Sequence, residues 1–230
     1  MPRPEVKSAT LRSNSFGFTI IELMIATLVF SIVLLVVTAG IVQFSKAYYK
    51  GAITAKTQDT TRSIIDSVAQ SVQFGVSSPQ ESPESVGTAI SFLCAGGNKF
   101  IFTPGVQYQT GPPVYANAGV YMVTSVGICE GPTATLPTDG KQLLNEYMRV
   151  TDLTLTGISD TLYSISVTVA YGDNDLFCDR RDDSSCAATS PTLSDAALAD
   201  LRSNIRCRQV SGSEFCAVSS LSTTVRKRIQ

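Results

Sequence analysis

The sequence predicts an α+β protein in which one long N-terminal helix packs on a C-terminal antiparallel β-sheet. Three observations support this fold class. Residues 18–44 are almost entirely apolar, residues 45–74 continue with a helical pattern and no proline, and short alternating runs follow Gly75. Hydrophobic residues make up 43% of the 230 residues and charged residues only 16%, which fits a chain that lies partly in lipid.

The N-terminal apolar segment is long enough to cross a membrane as a helix. Glu22 is the only charged residue in 18–44, and the 20 residues from 23 to 42 carry no formal charge. A hydrocarbon core needs about 20 helical residues. We therefore predict a polar, basic leader over 1–17 and a membrane-spanning half of the helix over 18–44.

The second half of the helix, over 45–75, has a different pattern. Ile64, Ile65, Val68 and Val72 fall on one face of a helix, and charged residues occupy the others. This stripe is expected to pack against the sheet. Gly75 and the prolines that follow it mark the end of the helix.

Residues 76–230 are expected to form an exported β-sheet domain. Short apolar or alternating runs separated by glycine, proline and asparagine are typical of strands. The predicted strands are 89–94, 99–102, 120–125, 148–156, 161–171, 205–210, 214–219 and 223–228, with a short helix at 194–201.

The six cysteines lie between Cys94 and Cys216, and none has the two-residue spacing of zinc or redox motifs. An even number confined to one half of the chain indicates disulfides in an oxidising compartment. Ser211-Gly212 lies between two strand-like runs and predicts a two-residue hairpin turn. In that register Cys207 faces Cys216, with Cα atoms about 4.5 Å apart.

The other two disulfides have no such register argument. If Cys207 pairs with Cys216, we expect Cys178 to pair with Cys186, across an acidic loop, and Cys94 with Cys129. Six cysteines allow about 15 connectivities, so these pairs depend on the hairpin assignment. The expected role of Cys207–Cys216 is to clamp a sheet edge that the long helix leaves uncovered.

Composition argues against an enzyme. Histidine is absent, which removes Ser-His-Asp and Cys-His nucleophile pairs and the commonest zinc ligand. Asp173, Asp175 and Asp179 are weak candidates for Ca²⁺ ligands, but no glycine or closing glutamate stands in calcium-loop register. A solvated loop is the preferred interpretation. No metal and no cofactor are expected.

Nucleic acid is not an expected partner. The net charge is −1, and the basic residues near the C-terminus have no interleaved aromatic residues on which bases would stack.

Three interpretations compete for the N-terminus. Val37-Thr38-Ala39 satisfies the small-residue rule of a signal peptide, but the apolar stretch exceeds an h-region and contains Glu22. An unprocessed single-pass anchor is the second. The third rests on the segment Gly17-Phe18-Thr19-Ile20-Ile21-Glu22, preceded by a basic leader. This segment resembles the processing site of type IV pilin-like precursors.

The resemblance implies specific chemistry at three residues. A membrane-embedded prepilin peptidase is expected to cut after Gly17 and to methylate the new N-terminus at Phe18. Glu22 then becomes the fifth mature residue. A carboxylate in an apolar helix is costly unless it has a partner. The α-amine of Phe18, from its own or a neighbouring subunit, is the expected partner.

The expected function is therefore that of a minor pilin-like structural subunit near the tip of a type IV filament. Its expected partners are other pilin-like subunits, the prepilin peptidase, an inner-membrane assembly platform and membrane lipid. It would lie in the bacterial inner membrane as a single-pass protein and then in a periplasmic or extracellular filament. The alternatives are a pseudopilin of a type II secretion system and a membrane-anchored binding module that does not polymerise.

Overall fold

The computed structural model describes residues 17–75, 79–81, 90–109, 118–124 and 140–228. The chain divides into two compact units, Met1–Ser45 and Lys46–Gln230. The long helix α1, Ile20–Phe74, contributes residues to both units, and each unit is described by itself.

The first unit is the apolar part of α1. Among the described residues, α1 is the one helix that is long and apolar enough to span a membrane, with a mean hydropathy of 2.9 over its best window. Its hydroxyl groups donate to helix carbonyls one turn earlier: Ser31 Oγ bonds the Thr27 carbonyl at 2.8 Å, and Thr38 Oγ1 bonds that of Leu34 at 2.8 Å. These side chains therefore leave no free donor on a surface suited to lipid.

The part of α1 in the second unit packs one face into the domain. The predicted stripe is buried, with Ile64 and Val68 fully inaccessible. The buried face also extends further along the helix than the apolar pattern indicates, because Thr57 and Thr61 are buried too. Thr61 Oγ1 donates to the Thr57 carbonyl at 2.7 Å, so burying this hydroxyl leaves no unpaired donor.

The described part of this unit contains two larger antiparallel sheets and one small two-stranded sheet. The first has the order β1-β2-β3-β4-β5, and the second has the order β10-β7-β6. The strands of the first sheet are β1 Gln80–Glu81, β2 Ser91–Ala95, β3 Asn98–Phe102, β4 Val120–Thr124 and β5 Lys141–Gln142. The strands of the second are β6 Met148–Ser159, β7 Leu162–Tyr171 and β10 Ala217–Arg226.

A small subdomain is inserted between β7 and β10. It contains β8 (Phe177–Asp179) and β9 (Ile205–Cys207), which pair with each other, and the helix α2 (Asp195–Leu201). The Ser194 hydroxyl caps α2 by accepting from the Ala197 amide at 3.2 Å. A second hydrophobic cluster lies here and includes Phe177, Leu198 and Ile205.

The main core joins α1 to both sheets. Ile64 and Val68 of α1 pack with Phe100 of β3 and with Ile165 and Val167 of β7. The α+β architecture predicted from the sequence, a long helix on antiparallel strands, is therefore confirmed.

The C-terminal end of α1 is held against the β2–β3 turn. A Cβ placed on Gly75 would lie 2.1 Å from the Gly96 Cα, so the two backbones meet where neither residue has a side chain. Asn98 Nδ2 also donates to Ser71 Oγ at 2.9 Å. The glycine after the helix thus permits a close approach as well as ending the helix.

The predicted hairpin at Ser211-Gly212 is wrong. β9 ends at Cys207 and pairs with β8, whereas β10 begins at Ala217 and pairs with β7. Gly212 does adopt a positive φ of 93°, but it precedes a short 3-10 turn rather than linking two strands. Of the predicted strands 214–219 and 223–228, residues 217–219 and 223–226 belong to the single strand β10, and residues 214 and 215 belong to the 3-10 turn.

A buried arginine accounts for the failed hairpin. Arg208 is only 4% exposed, although it carries a charge. Its guanidinium donates to the carbonyl oxygens of Phe177, Ser190 and Pro191 at 2.7, 2.9 and 2.6 Å. These bonds hold the chain after Cys207 in the small subdomain, away from the partner strand that a hairpin requires.

Candidate processing and assembly site

The site predicted for processing lies immediately before α1. Gly17, Phe18 and Thr19 are outside regular structure, and the Phe18 side chain is 82% exposed. A Cβ at Gly17 would meet nothing within 4 Å. Within the described residues, therefore, no packing contact requires glycine at this position, and the Phe18 side chain is exposed.

Thr19 and Glu22 form a reciprocal cap at the start of the helix. Glu22 Oε2 accepts from the Thr19 backbone N–H at 3.0 Å and from Thr19 Oγ1–H at 2.8 Å. The Glu22 backbone N–H donates to Thr19 Oγ1 at 3.3 Å. This is the capping-box arrangement, which satisfies two helix-terminal amides at once.

Thr19 is a site residue that the sequence reasoning missed. The signal was present, because threonine followed three residues later by glutamate, just before an apolar run, is the capping-box pattern. The cap gives Glu22 a defined position at the start of the helix. Both side-chain bonds go to Oε2, so within the described residues Oε1 is left for a further donor.

Apolar side chains surround the helix that follows. Large hydrophobic residues of the first unit are exposed, from Leu34 at 46% to Phe18 and Ile20 at 82%. A helix that is apolar on all sides is lipid-facing when alone and core-forming in a bundle. The arrangement supports insertion in a membrane and lateral packing with similar helices.

Two of the disulfides proposed from the sequence are present. Cys178 is bonded to Cys186, with Cα atoms 5.1 Å apart, and Cys207 is bonded to Cys216, with Cα atoms 5.9 Å apart. The second pair occurs without the hairpin from which it was argued, and its Cα separation is larger than the expected one. The Cys94–Cys129 pairing involves Cys129, which lies outside the described residues.

The loop closed by Cys207–Cys216 rests on α1. Lys50 Nζ donates to the Ser213 carbonyl at 3.0 Å and also to the Cys216 carbonyl. Lys46 Nζ lies 3.6 Å from Glu214 Oε1. The expected role at an edge without helix contact is therefore wrong. Burial lowers the pKa of Lys50, and the negative charge of Glu214 opposes that shift.

The aspartates considered for calcium do not converge. No group of three or more candidate metal ligands occurs in the described part of the chain. Asp179 Oδ2 instead accepts from Arg181 at 2.9 Å, and this hydrogen bonding holds the pKa of Asp179 below its usual value. Asp173 Oδ1 accepts from Gln107 Nε2 at 3.4 Å.

Arg149 is a second buried arginine that the sequence did not reveal, since it lies in an alternating strand. It is inaccessible to solvent, and it donates to the carbonyls of Gly105 and Gly172 at 3.0 and 2.9 Å. Its Nη1 also lies 3.4 Å from Asp195 Oδ1. Burial lowers the pKa of Arg149 to about 10, so it stays protonated at neutral pH and ties the small subdomain to β6.

Comparison with known families agrees with the N-terminal geometry. The family model described as "Prokaryotic N-terminal methylation motif" matches residues 12–38. Comparisons with curated proteins and with solved structures give no match. The matched segment contains Gly17, Phe18, the Thr19–Glu22 cap and most of the apolar part of α1. The methylation motif and the long apolar helix that it opens support a type IV pilin-like protein.

Proposed function

We propose that the chain is a minor pilin-like structural subunit of a type IV filament, located near the filament tip. A prepilin peptidase cuts the precursor after Gly17 and methylates the amine of Phe18. Of the 230 residues of this sequence, 213 follow this cleavage site. The mature chain enters the filament through the packing of its N-terminal helix against those of other pilin-like subunits.

The single observation that supports this proposal most strongly is the arrangement of residues 17–22 at the start of the long helix. An exposed Gly-Phe bond is followed at once by a capped carboxylate and an apolar helix. A signal peptide needs neither the carboxylate nor the cap. A filament core can use both, because cleavage creates a cation at Phe18 that neutralises Glu22 where water is excluded.

Transfer from lipid to filament suits this helix. The apolar surface contacts lipid chains before assembly and neighbouring helices afterwards, so the change in hydrophobic free energy is small. The charge at Glu22 is what differs between the two states, because a neighbouring amine is present only in the bundle. The assembly platform of the inner membrane extracts the subunit from lipid. After assembly, the exported domain lies in the periplasm or outside the cell.

The minor role near the tip is supported by the exported domain. It carries an inserted subdomain held by buried arginines and two disulfides, more than a repeating building block requires. Since Glu22 is retained, the subunit has a neighbour to bind at its N-terminus. The retained Glu22 therefore supports a position near the tip that is not the final cap.

N-terminal sequencing of the mature chain tests the proposal. The expected sequence begins at Phe18, with a methyl group on its α-amine. The Gly17→Leu variant should remain a full-length precursor in the membrane, because the open position before Phe18 is then filled. A mature chain that begins at Gly40 would establish an ordinary signal peptide and end the filament proposal.

A pseudopilin of a type II secretion system has the same N-terminal features and is the second candidate. Recovery of the chain in filaments sheared from the cell surface favours the pilus. A secretion defect on deletion, without surface filaments, favours the pseudopilin. A processed chain that never leaves the membrane would indicate an anchored binding module instead.

A further inference from the structure

An aromatic and acidic surface lies where β6 begins and β7 ends. Tyr147 and Tyr171 have ring centroids 6.4 Å apart, with an angle of 65° between the rings. Tyr147 is 50% exposed and has a φ of 62°, a conformation that non-glycine residues rarely adopt. Asp173, two residues after Tyr171, is also exposed. We call these three residues the tyrosine face.

One amide side chain holds the tyrosine face together. Gln107 Nε2 donates to the carbonyl of Gly172 at 3.0 Å, to that of Tyr147 at 3.4 Å and to Asp173 Oδ1 at 3.4 Å. Gln109 Nε2 in turn donates to Gln107 Oε1 at 2.6 Å. The strained Tyr147 backbone and the Asp173 carboxylate are thus fixed side by side before any ligand arrives.

The chemistry of the tyrosine face suits a cation. Aromatic faces and a carboxylate together attract an ammonium or guanidinium group. Within the described residues neither phenol hydroxyl has a hydrogen-bond partner, and Asp173 forms no ion pair. Arg149 lies buried nearby; it forms an ion pair with Asp195, and the charge of Asp173 acts on it from a greater distance, so Asp173 keeps an exposed side for a second cation. Burial raises the pKa of Tyr171, and the neighbouring Tyr147 and Asp173 raise it further.

A matching cation lies at the opposite end of the same sheet. In the antiparallel register Ala217 of β10 faces Tyr171, whereas Arg226 faces Leu162. Nine residues of strand separate the two ends, a distance of about 30 Å. Arg226 is exposed and makes no ion pair within the described residues. It therefore cannot reach the tyrosine face of its own chain.

The basic end has a second feature that favours presentation of Arg226. The neighbouring Arg228 guanidinium lies 5.1 Å from the centre of the Phe74 ring, and its backbone amide donates to the Gln73 carbonyl at 3.1 Å. These contacts fix the end of β10 on the C-terminus of α1. Arg226 is thus presented from a rigid edge.

We propose that the tyrosine face binds Arg226 of a second copy of this chain, in a head-to-tail contact between exported domains. Different surfaces of the two copies meet, so the contact is heterologous. The inference rests on the proposed function, since the N-terminal helices must bring successive copies together. It also requires that at least two copies stand next to each other in the filament.

A charge-reversal cycle in cells that assemble the full chain tests the contact. A photo-crosslinking amino acid at exposed Glu146 reports chain-to-chain dimers recovered from sheared filaments. We expect Asp173→Lys and Arg226→Glu each to lower the dimer yield about tenfold or more, and the double variant to restore most of it. Asp66→Lys, on an exposed position of α1, is the control and should leave the yield unchanged.

The other outcomes are decisive. A loss with Asp173→Lys but not with Arg226→Glu means that the tyrosine face binds a different cation, and it overturns the second-copy contact. If both single variants lower the dimer yield but the double variant does not restore it, the second-copy contact is overturned as well. The proposed function is checked separately on the wild type, by a mature N-terminus at Phe18 and recovery in filaments. If the wild type fails that check, the proposed function and the second-copy contact are both rejected.

Discussion

The Glu22 carboxylate is hydrogen-bonded to both the backbone amide and the hydroxyl of Thr19, three residues earlier. Glu22 therefore has two separable properties, a capping geometry and a negative charge. Removing the side chain destroys both, so an alanine substitution alone does not show which one assembly requires.

Glutamine at position 22 separates the two properties. Glutamine also serves as the third helical residue of a capping box, so Glu22→Gln keeps the cap and loses the charge. We expect it to be cleaved and inserted normally but incorporated into filaments about tenfold less or worse. The reason is that a charge-assisted hydrogen bond contributes about 1.5–3 kcal/mol. Quantitative immunoblotting of sheared filaments measures this.

Glu22→Ala and Thr19→Val complete the comparison. The alanine variant should be processed and inserted but not assembled, since both properties are lost. Thr19→Val keeps the shape of the side chain and the charge of Glu22 while it removes the hydroxyl, so its defect should be the mildest. Normal incorporation of Glu22→Gln would mean that the carboxylate acts as a cap and not as a partner of the Phe18 amine.

Lys50 anchors the C-terminal disulfide loop. Lys50→Met preserves much of the side-chain volume and removes the donor to the Ser213 and Cys216 carbonyls. We expect the loop 208–216 to be destabilised by about 1.5–3 kcal/mol, the usual contribution of hydrogen bonds to a charged group. Hydrogen–deuterium exchange of the full chain in detergent should then show faster exchange in that loop.

Lys56→Met is the matched control on the same helix, because Lys56 is exposed. In the Lys56→Met variant, the amides of the loop 208–216 should exchange at the wild-type rate. Equal exchange in both variants would show that the Lys50 contacts do not hold the loop in solution.

Periodicity predicted the elements whose environment is uniform along their length. The end of α1 at Phe74, the buried stripe around Val68 and the strand β7 followed from residue patterns alone. Burial in α1 repeats with the helical period, and Gly75 with the prolines after it marks the end of the helix. The sequence of β7 alternates between apolar and polar residues even though residues 167–170 are all buried.

The inserted subdomain could not be predicted in this way. Arg149 and Arg208 look like solvated residues in a sequence, yet each is buried by backbone carbonyls that come from distant segments. Such contacts leave no local pattern, because any loop supplies carbonyl oxygens. The hairpin expected around Gly212 failed for this reason: the glycine does have a positive φ, but tertiary bonds at Arg208 decided the path of the chain.

The Cys207–Cys216 disulfide should now behave as a loop closure and not as a cross-strand link. Replacing both cysteines by serine should cost about 2–3 kcal/mol, the entropy of a closed loop of this length. Exchange should increase in 208–216, while β10 stays protected because ten of its residues pair with β7. Non-reducing peptide mapping should recover the 207–216 and 178–186 bridges in the wild type. Loss of protection throughout β10 would indicate that the disulfide defines the strand.

The glycines of α1 and its neighbouring turn should respond to alanine with opposite signs. Gly51 is exposed inside the helix with open space around it, so Gly51→Ala should stabilise the fold by about 0.5–1 kcal/mol. Gly75→Ala places a Cβ 2.1 Å from the Gly96 Cα, and Gly96→Ala places one 1.9 Å from the Ser71 carbonyl oxygen. Backbone must move in both cases, and Gly96 also has a φ of 59°. Each should therefore destabilise the fold by about 2 kcal/mol or more.

Thermal unfolding of the full chain in one detergent compares the three glycine variants. Helix propensity acts only at Gly51, which lies inside α1, whereas the costs at Gly75 and Gly96 report on the contact between the helix end and the β2–β3 turn. The double variant with alanine at both 75 and 96 should cost less than the sum of the single variants, because one displacement of the turn relieves both clashes. Additive costs, or a stabilised Gly75→Ala variant, would show that the end of α1 does not rest on Gly96.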